Sequence, residues 1–113
     1  MRQSEANKAY VYGLIDPASH LVRYVGQTRA LVERYAEHRR GAVPATHDWV
    51  CWLTATGSMP VLVVLANVEC SGSDMPREVQ ACETKWIKRF RRTLLNRCTR
   101  DNCPAVWDAL VNR

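Results

Sequence analysis

The apolar positions of this chain change period along its length, and each change marks an element. Ala9-Tyr10-Val11-Tyr12-Gly13-Leu14-Ile15 is β-branched and aromatic with apolar residues on both alternations. It predicts a strand covered on both faces, central in its sheet. Asp16-Pro17-Ala18-Ser19-His20 is turn chemistry, and Leu21-Val22-Arg23-Tyr24-Val25-Gly26 returns as the second strand of a hairpin. A turn centred on Ala18 sets Tyr12 opposite Tyr24, Leu14 opposite Val22 and Tyr10 opposite Gly26, with the three tyrosines on one face. A helix follows from about Ala30 to Arg40, with Thr28 as its cap. A second helix runs from His47 to Ala55 and stops near Gly57. Val61 to Val68 is a continuous apolar run, the pattern of a third strand covered on both sides.

Pro76 opens a third helix that runs to about Arg92. At about 100° per residue, Val79, Cys82, Trp86 and Phe90 form one stripe, with Ile87 at its edge. Glu83 falls inside that stripe. A buried carboxylate without a partner is costly. Glu83 should therefore meet an arginine, a bound cation or a cleft open to water. Leu94-Leu95-Asn96 makes a short buried segment, and Asp101 or Asn102 caps a last helix carrying Val106, Trp107 and Leu110. The predicted order is β-β-α-α-β-α-α, a small α/β sandwich. Residues 1–8 read as a loose tail, and 9–113 as one domain.

Composition narrows the class. The chain has 113 residues and a net charge of +5, a basic balance that suits a nucleic-acid partner as well as a merely soluble surface. No apolar run is long enough to span a membrane, and the polar start lacks the core of a signal peptide. Five cysteines without a secretion signal suit a reducing, cytoplasmic setting. Cys98 and Cys103 suggest a zinc site only weakly, because no paired two-residue spacing accompanies them.

Arg34 and His38 are one turn apart on the first helix, flanking the apolar stripe of Leu31 and Tyr35. Arg34 can clamp a phosphate, or pair with Glu83 as a structural ion pair. Two tyrosines, an arginine, a histidine and a stray carboxylate form a set that permits phosphodiester hydrolysis. The carboxylate would hold a divalent metal, the arginine the phosphate, and a tyrosine or the histidine the water.

Tyr10-Val11-Tyr12, Tyr24-Val25-Gly26-Gln27-Thr28, Arg34 and His38 together resemble the GIY-YIG endonuclease motif. Trp49, Trp52-Leu53, Gly57 with Pro60, Glu83 with Trp86-Ile87, and Leu94-Leu95-Asn96 follow in the family's order. Tyr10 departs from the pattern, standing where the motif has glycine, with Gly13 after it. The resemblance implies a three-stranded antiparallel sheet flanked by helices. It also implies Mg²⁺- or Mn²⁺-dependent hydrolysis of DNA, one strand per active site. By motif it assigns Tyr12, Tyr24, Arg34, His38, Glu83 and Asn96 to the site, with Glu83 as the metal ligand. Arg29, Lys85, Lys88, Arg89 and Arg92 are the candidate DNA contacts. No base-reading module is evident, so specificity would come from a homodimer or a separate protein. The alternative is a non-catalytic nucleic-acid-binding module in which Glu83 pairs with Arg34.

Overall fold

The computed structural model describes residues 8–69 and 75–94. Asn96, Cys70, Cys98, Cys103 and the predicted last helix lie outside the described residues, as do residues 1–7 of the predicted tail. Lys8, assigned to that tail on sequence, opens the first strand and pairs with Glu69 at 3.7 Å.

β1 (Lys8–Ile15), β2 (Val22–Thr28) and β3 (Val61–Glu69) form an antiparallel sheet in the order β2-β1-β3. Between β2 and β3 come α1 (Leu31–Arg39), a 3₁₀ turn (Pro44–Thr46) and α2 (His47–Ala55). α3 (Met75–Phe90) follows β3. The described order is therefore β-β-α-α-β-α with one added 3₁₀ turn, not the full predicted order, whose final helix lies outside the described residues. Thr28 does not cap α1, because β2 runs through it. Its hydroxyl instead accepts the Ala30 N–H at 3.0 Å, a local turn that separates strand from helix.

β1 is central, as its two apolar faces require. Tyr12 and Leu14 pack with Trp49, Val50 and Leu53 of α2 and with Leu31 and Tyr35 of α1. Val11 and Val25 turn to the other face, against Cys82, Trp86, Ile87 and Phe90 of α3. Full burial of side chains such as Leu14 and Leu53 stabilises the fold by roughly 2 kcal/mol each. The helices thus cover both faces of the sheet, and the apolar stripe of α3 is the one its periodicity predicts.

Two expectations fail for stated reasons. β3 is an edge strand, not one covered on both sides, and Val61 and Val64 are 46% and 49% exposed. An unbroken apolar run does not distinguish a buried strand from an apolar edge. The hairpin register is also shifted. Tyr12 lies opposite Gly26 and Leu14 opposite Tyr24, while Ile15 lies opposite Val22. A bulge between Leu14 and Ile15 accounts for it. The loop closes around Asp16, whose carboxylate accepts the Ala18 and Ser19 N–H groups, and His20 takes a left-handed φ of 63°. This sets where the turn sits, and Arg23 becomes the extra residue on β2. The slip is two residues at Tyr24, so both tyrosines keep their face.

Candidate active site

Tyr12 is the centre of the site. It is fully buried at the middle of β1, and its phenol is hydrogen-bonded to His38 Nε2 at 2.7 Å. The Arg34 Nε–H donates to the same phenol oxygen at 3.4 Å. Arg34 and His38 reach it together because they stand one turn apart on α1, on the edge of the helix that faces the sheet. The ring of Tyr24 lies 6.1 Å from that of Tyr12 and 5.1 Å from that of His38, tilted against both. Tyr24 is only partly buried, so it forms the outer wall where Tyr12 forms the floor.

Gly26 makes this packing feasible. A Cβ placed there would stand 2.7 Å from the Tyr12 hydroxyl oxygen and 2.7 Å from a ring carbon of Tyr24. The shifted register puts this glycine directly opposite Tyr12. Only a residue without a side chain lets both tyrosine side chains approach the strand this closely.

The electrostatics follow from burial. Loss of water pushes the Tyr12 phenol well above its ordinary value, and the neighbouring Tyr24 adds to the rise while Arg34 opposes it. Burial raises Tyr24 too, Arg34 lowers it, and the charge of Glu83 raises it. His38 is fully buried, and burial followed by the Arg34 charge pushes it down to about 4. It is therefore a neutral imidazole at neutral pH. Its Nδ1 is hydrogen-bonded to the hydroxyl of Thr46 at 2.8 Å, and Thr46 is itself fully buried.

Arg34 forms its ion pair with Glu37, Nη1 to Oε1 at 2.8 Å, and this hydrogen bond chiefly holds its guanidinium charged. The structural pair of Arg34 with Glu83 weighed on sequence is not formed. Glu37, three residues further along α1 and so on the same helix face, takes that place.

Glu83 stands in the other layer. It lies half-buried on α3, and the Gln27 amide Nε2–H donates to its Oε1 at 3.2 Å. The same amide donates to Gln80 Oε1 at 3.4 Å. Gln27 sits near the end of edge strand β2, so Glu83 reaches the tyrosine cluster at its rim. Its charge is nevertheless felt by Tyr24. Glu83 has no ion pair among the described residues. A partly exposed carboxylate oxygen free of cationic partners suits a hard divalent cation. No group of three or more His, Cys, Asp and Glu residues that could hold a metal occurs among the described residues. A cation on Glu83 would therefore keep water or phosphate oxygens as most of its ligands, the preference of Mg²⁺.

The structure thus brings Tyr12, Tyr24, Arg34 and His38 together and sets Glu83 at their edge. Asn96 lies outside the described residues. Arg29 is exposed just beyond β2, and Lys85, Lys88, Arg89 and Arg92 are exposed on and just past α3. The Arg89 guanidinium rests over the Trp86 and Phe90 rings at 5.7 and 6.0 Å, which are themselves stacked. Sequence reasoning missed Gln27, Glu37 and Thr46. Glu37 was discoverable from its spacing to Arg34, whereas nothing in the chain's pattern marks Thr46. No family model, curated protein or solved structure matches this chain.

Proposed function

We propose that this chain is a metal-dependent DNA endonuclease of the GIY-YIG type, hydrolysing one strand per active site. The observation that carries the proposal is the junction of two coupled phenols, one arginine and a neutral buried histidine with a carboxylate at its rim. A purely structural aromatic pair needs neither Arg34 nor a buried imidazole. The imidazole of His38 is wholly buried, a costly placement unless it is hydrogen-bonded or used, and Arg34 beside it is partly exposed and open to an anion. The ordered motif resemblance points to the same chemistry.

Each residue then has a role set by its surroundings. Tyr24 is the phenol that can touch a substrate water, because Tyr12 has no exposed surface. The Tyr24 phenol first gives its own proton to solvent, and the phenolate then takes a proton from that water as the water oxygen forms its bond to phosphorus. The P–O bond to the leaving sugar oxygen breaks, and that oxygen is protonated by solvent. Tyr12 stays protonated because burial holds its phenol far above neutral pH, and it supports Tyr24 from beneath. Arg34, fixed by Glu37, places positive charge beside both phenols and toward an incoming phosphate. Glu83 would hold Mg²⁺ or Mn²⁺, which supplies charge to the leaving and non-bridging oxygens. The exposed cations Arg29, Lys85, Lys88, Arg89 and Arg92 contribute contacts to the DNA backbone.

The test is nicking of supercoiled plasmid in Mg²⁺ by the native chain, Glu83→Ala and Arg34→Ala. The expected result is nicking by the native chain only. Equal nicking by all three, or none by the native chain on any DNA form, rejects the proposal.

A further inference from the structure

We infer that Thr46 is a positioning residue of this site: its hydroxyl donates to His38 Nδ1, fixing the imidazole as the tautomer that carries its proton on Nε2. The inference builds on the proposed nuclease reading but is tested apart from it.

Three buried groups stand in line. Thr46 Oγ1 lies 2.8 Å from His38 Nδ1, and His38 Nε2 lies 2.7 Å from the Tyr12 phenol oxygen. Thr46, His38 and Tyr12 are each fully buried. A neutral imidazole carries one N–H and one bare nitrogen, so one ring position donates and the other accepts. Two arrangements are conceivable. In the first, Nδ1–H donates to Thr46, and Tyr12 donates to Nε2. In the second, Thr46 donates to Nδ1, and Nε2–H donates to Tyr12.

The surroundings of Thr46 separate them. Its hydroxyl has no other hydrogen bond among the described residues. Were it the acceptor, its own O–H would be left buried without a partner, an arrangement proteins avoid. As donor, its proton is satisfied. Tyr12 completes the set. A phenol oxygen accepts up to two hydrogen bonds and donates one. Nε2–H and Arg34 Nε–H then fill both acceptor positions of Tyr12. The Tyr12 O–H is left for the side-chain hydrogen bond that Tyr12 shares with Tyr24, as its donor. A phenol that receives two N–H donors and donates to Tyr24 stabilises Tyr24 as it loses its proton. In the first arrangement Tyr12 spends its proton on His38, and Tyr24 receives nothing from beneath.

Thr46 can do this because of its place in the chain. It ends the 3₁₀ turn Pro44–Thr46 that leads into α2, with its hydroxyl at the Nδ1 edge of the His38 ring. Its hydroxyl makes no helix-capping hydrogen bond, which leaves it free for the imidazole.

The experiment is nitrogen NMR of the His38 ring at neutral pH, without DNA or metal, in the native chain, Thr46→Val and Thr46→Ser. Valine keeps the shape and removes the hydroxyl; serine keeps the hydroxyl. The expected result is a proton-bearing Nε2 and bare Nδ1 in the native chain and in Thr46→Ser, and loss of that preference in Thr46→Val. Single-turnover cleavage should then fall about tenfold in Thr46→Val, with KM unchanged, and recover in Thr46→Ser. A native His38 with its proton on Nδ1 overturns the inference without any variant having to fold. So does a Thr46→Val chain whose tautomer is unchanged. Because the tautomer is read on the free protein, a chain that never cuts DNA but shows Nε2–H removes only the nuclease reading.

Discussion

The two faces of the sheet hold the two halves of the proposed site in opposite physical states. On the α1/α2 face, Tyr12, His38 and Thr46 are fully buried and hydrogen-bonded in series. On the α3 face, Glu83 is half-buried, is held by one amide hydrogen bond from Gln27, and lies on a helix whose other flank carries exposed cations. The first half is preorganised by desolvation, which makes its protons hard to move and its geometry hard to change. The second half keeps access to water, which a cation and a DNA backbone both need. Gly26 of β2 has the side chains of both tyrosines packed against it.

Breaking either half gives different losses. Glu83→Ala should abolish cleavage, by at least about a thousandfold, while leaving the melting temperature within a few degrees, because the side chain sits at a rim. Single-turnover cleavage paired with calorimetry checks both parts. Tyr24→Phe should cost roughly a hundredfold or more in kcat, the usual worth of a positioned proton acceptor. Because burial raises the Tyr24 phenol, native cleavage should climb with pH through the neutral range, and Tyr24→Phe should flatten that climb.

Gly26→Ala strikes both halves at once. The added methyl meets the Tyr12 hydroxyl and the Tyr24 ring, so stability should fall by about 1–3 kcal/mol in urea unfolding and activity with it. His38 gives the pH signature of the buried half. Its folded pKa is about 4, below the ordinary 6.5. Between those values the unfolded chain binds a proton that the folded chain refuses. Stability should therefore rise with pH across that window and be lost on acidification, by up to about 3 kcal/mol. Urea unfolding at pH 7.5 and 4.5 reads the difference, and His38→Gln should remove most of it. The smallest effect belongs to the outer flank. Lys88→Gln or Arg92→Gln should each lower the salt dependence of DNA binding by about one unit of slope, without changing fold or tautomer.

Much of this contrast is legible in the amino-acid order. A carboxylate inside the stripe of Val79, Cys82, Trp86 and Phe90 is conspicuous because the helical period leaves no room for it among apolar neighbours. The one-turn spacing of Arg34 and His38 fixes their common face in the same way. Contacts that depend on a bulge or a turn are not legible. The pairing of Tyr12 with Gly26 follows from the extra residue at Arg23, which the alternation of apolar positions does not reveal. Thr46 meets His38 only because a 3₁₀ turn folds back under α1, and no periodicity encodes that return. The edge position of β3 is likewise a fact of strand order, which its apolar run alone does not carry.

The most direct measurement of whether the two halves form one site is a double-mutant cycle on single-turnover DNA cleavage with Glu83→Ala and Tyr24→Phe. A double variant no slower than the worse single one is the predicted result, since each substitution disables the same step. Losses that multiply independently, or a Tyr24→Phe chain that cuts at the native rate, would contradict it.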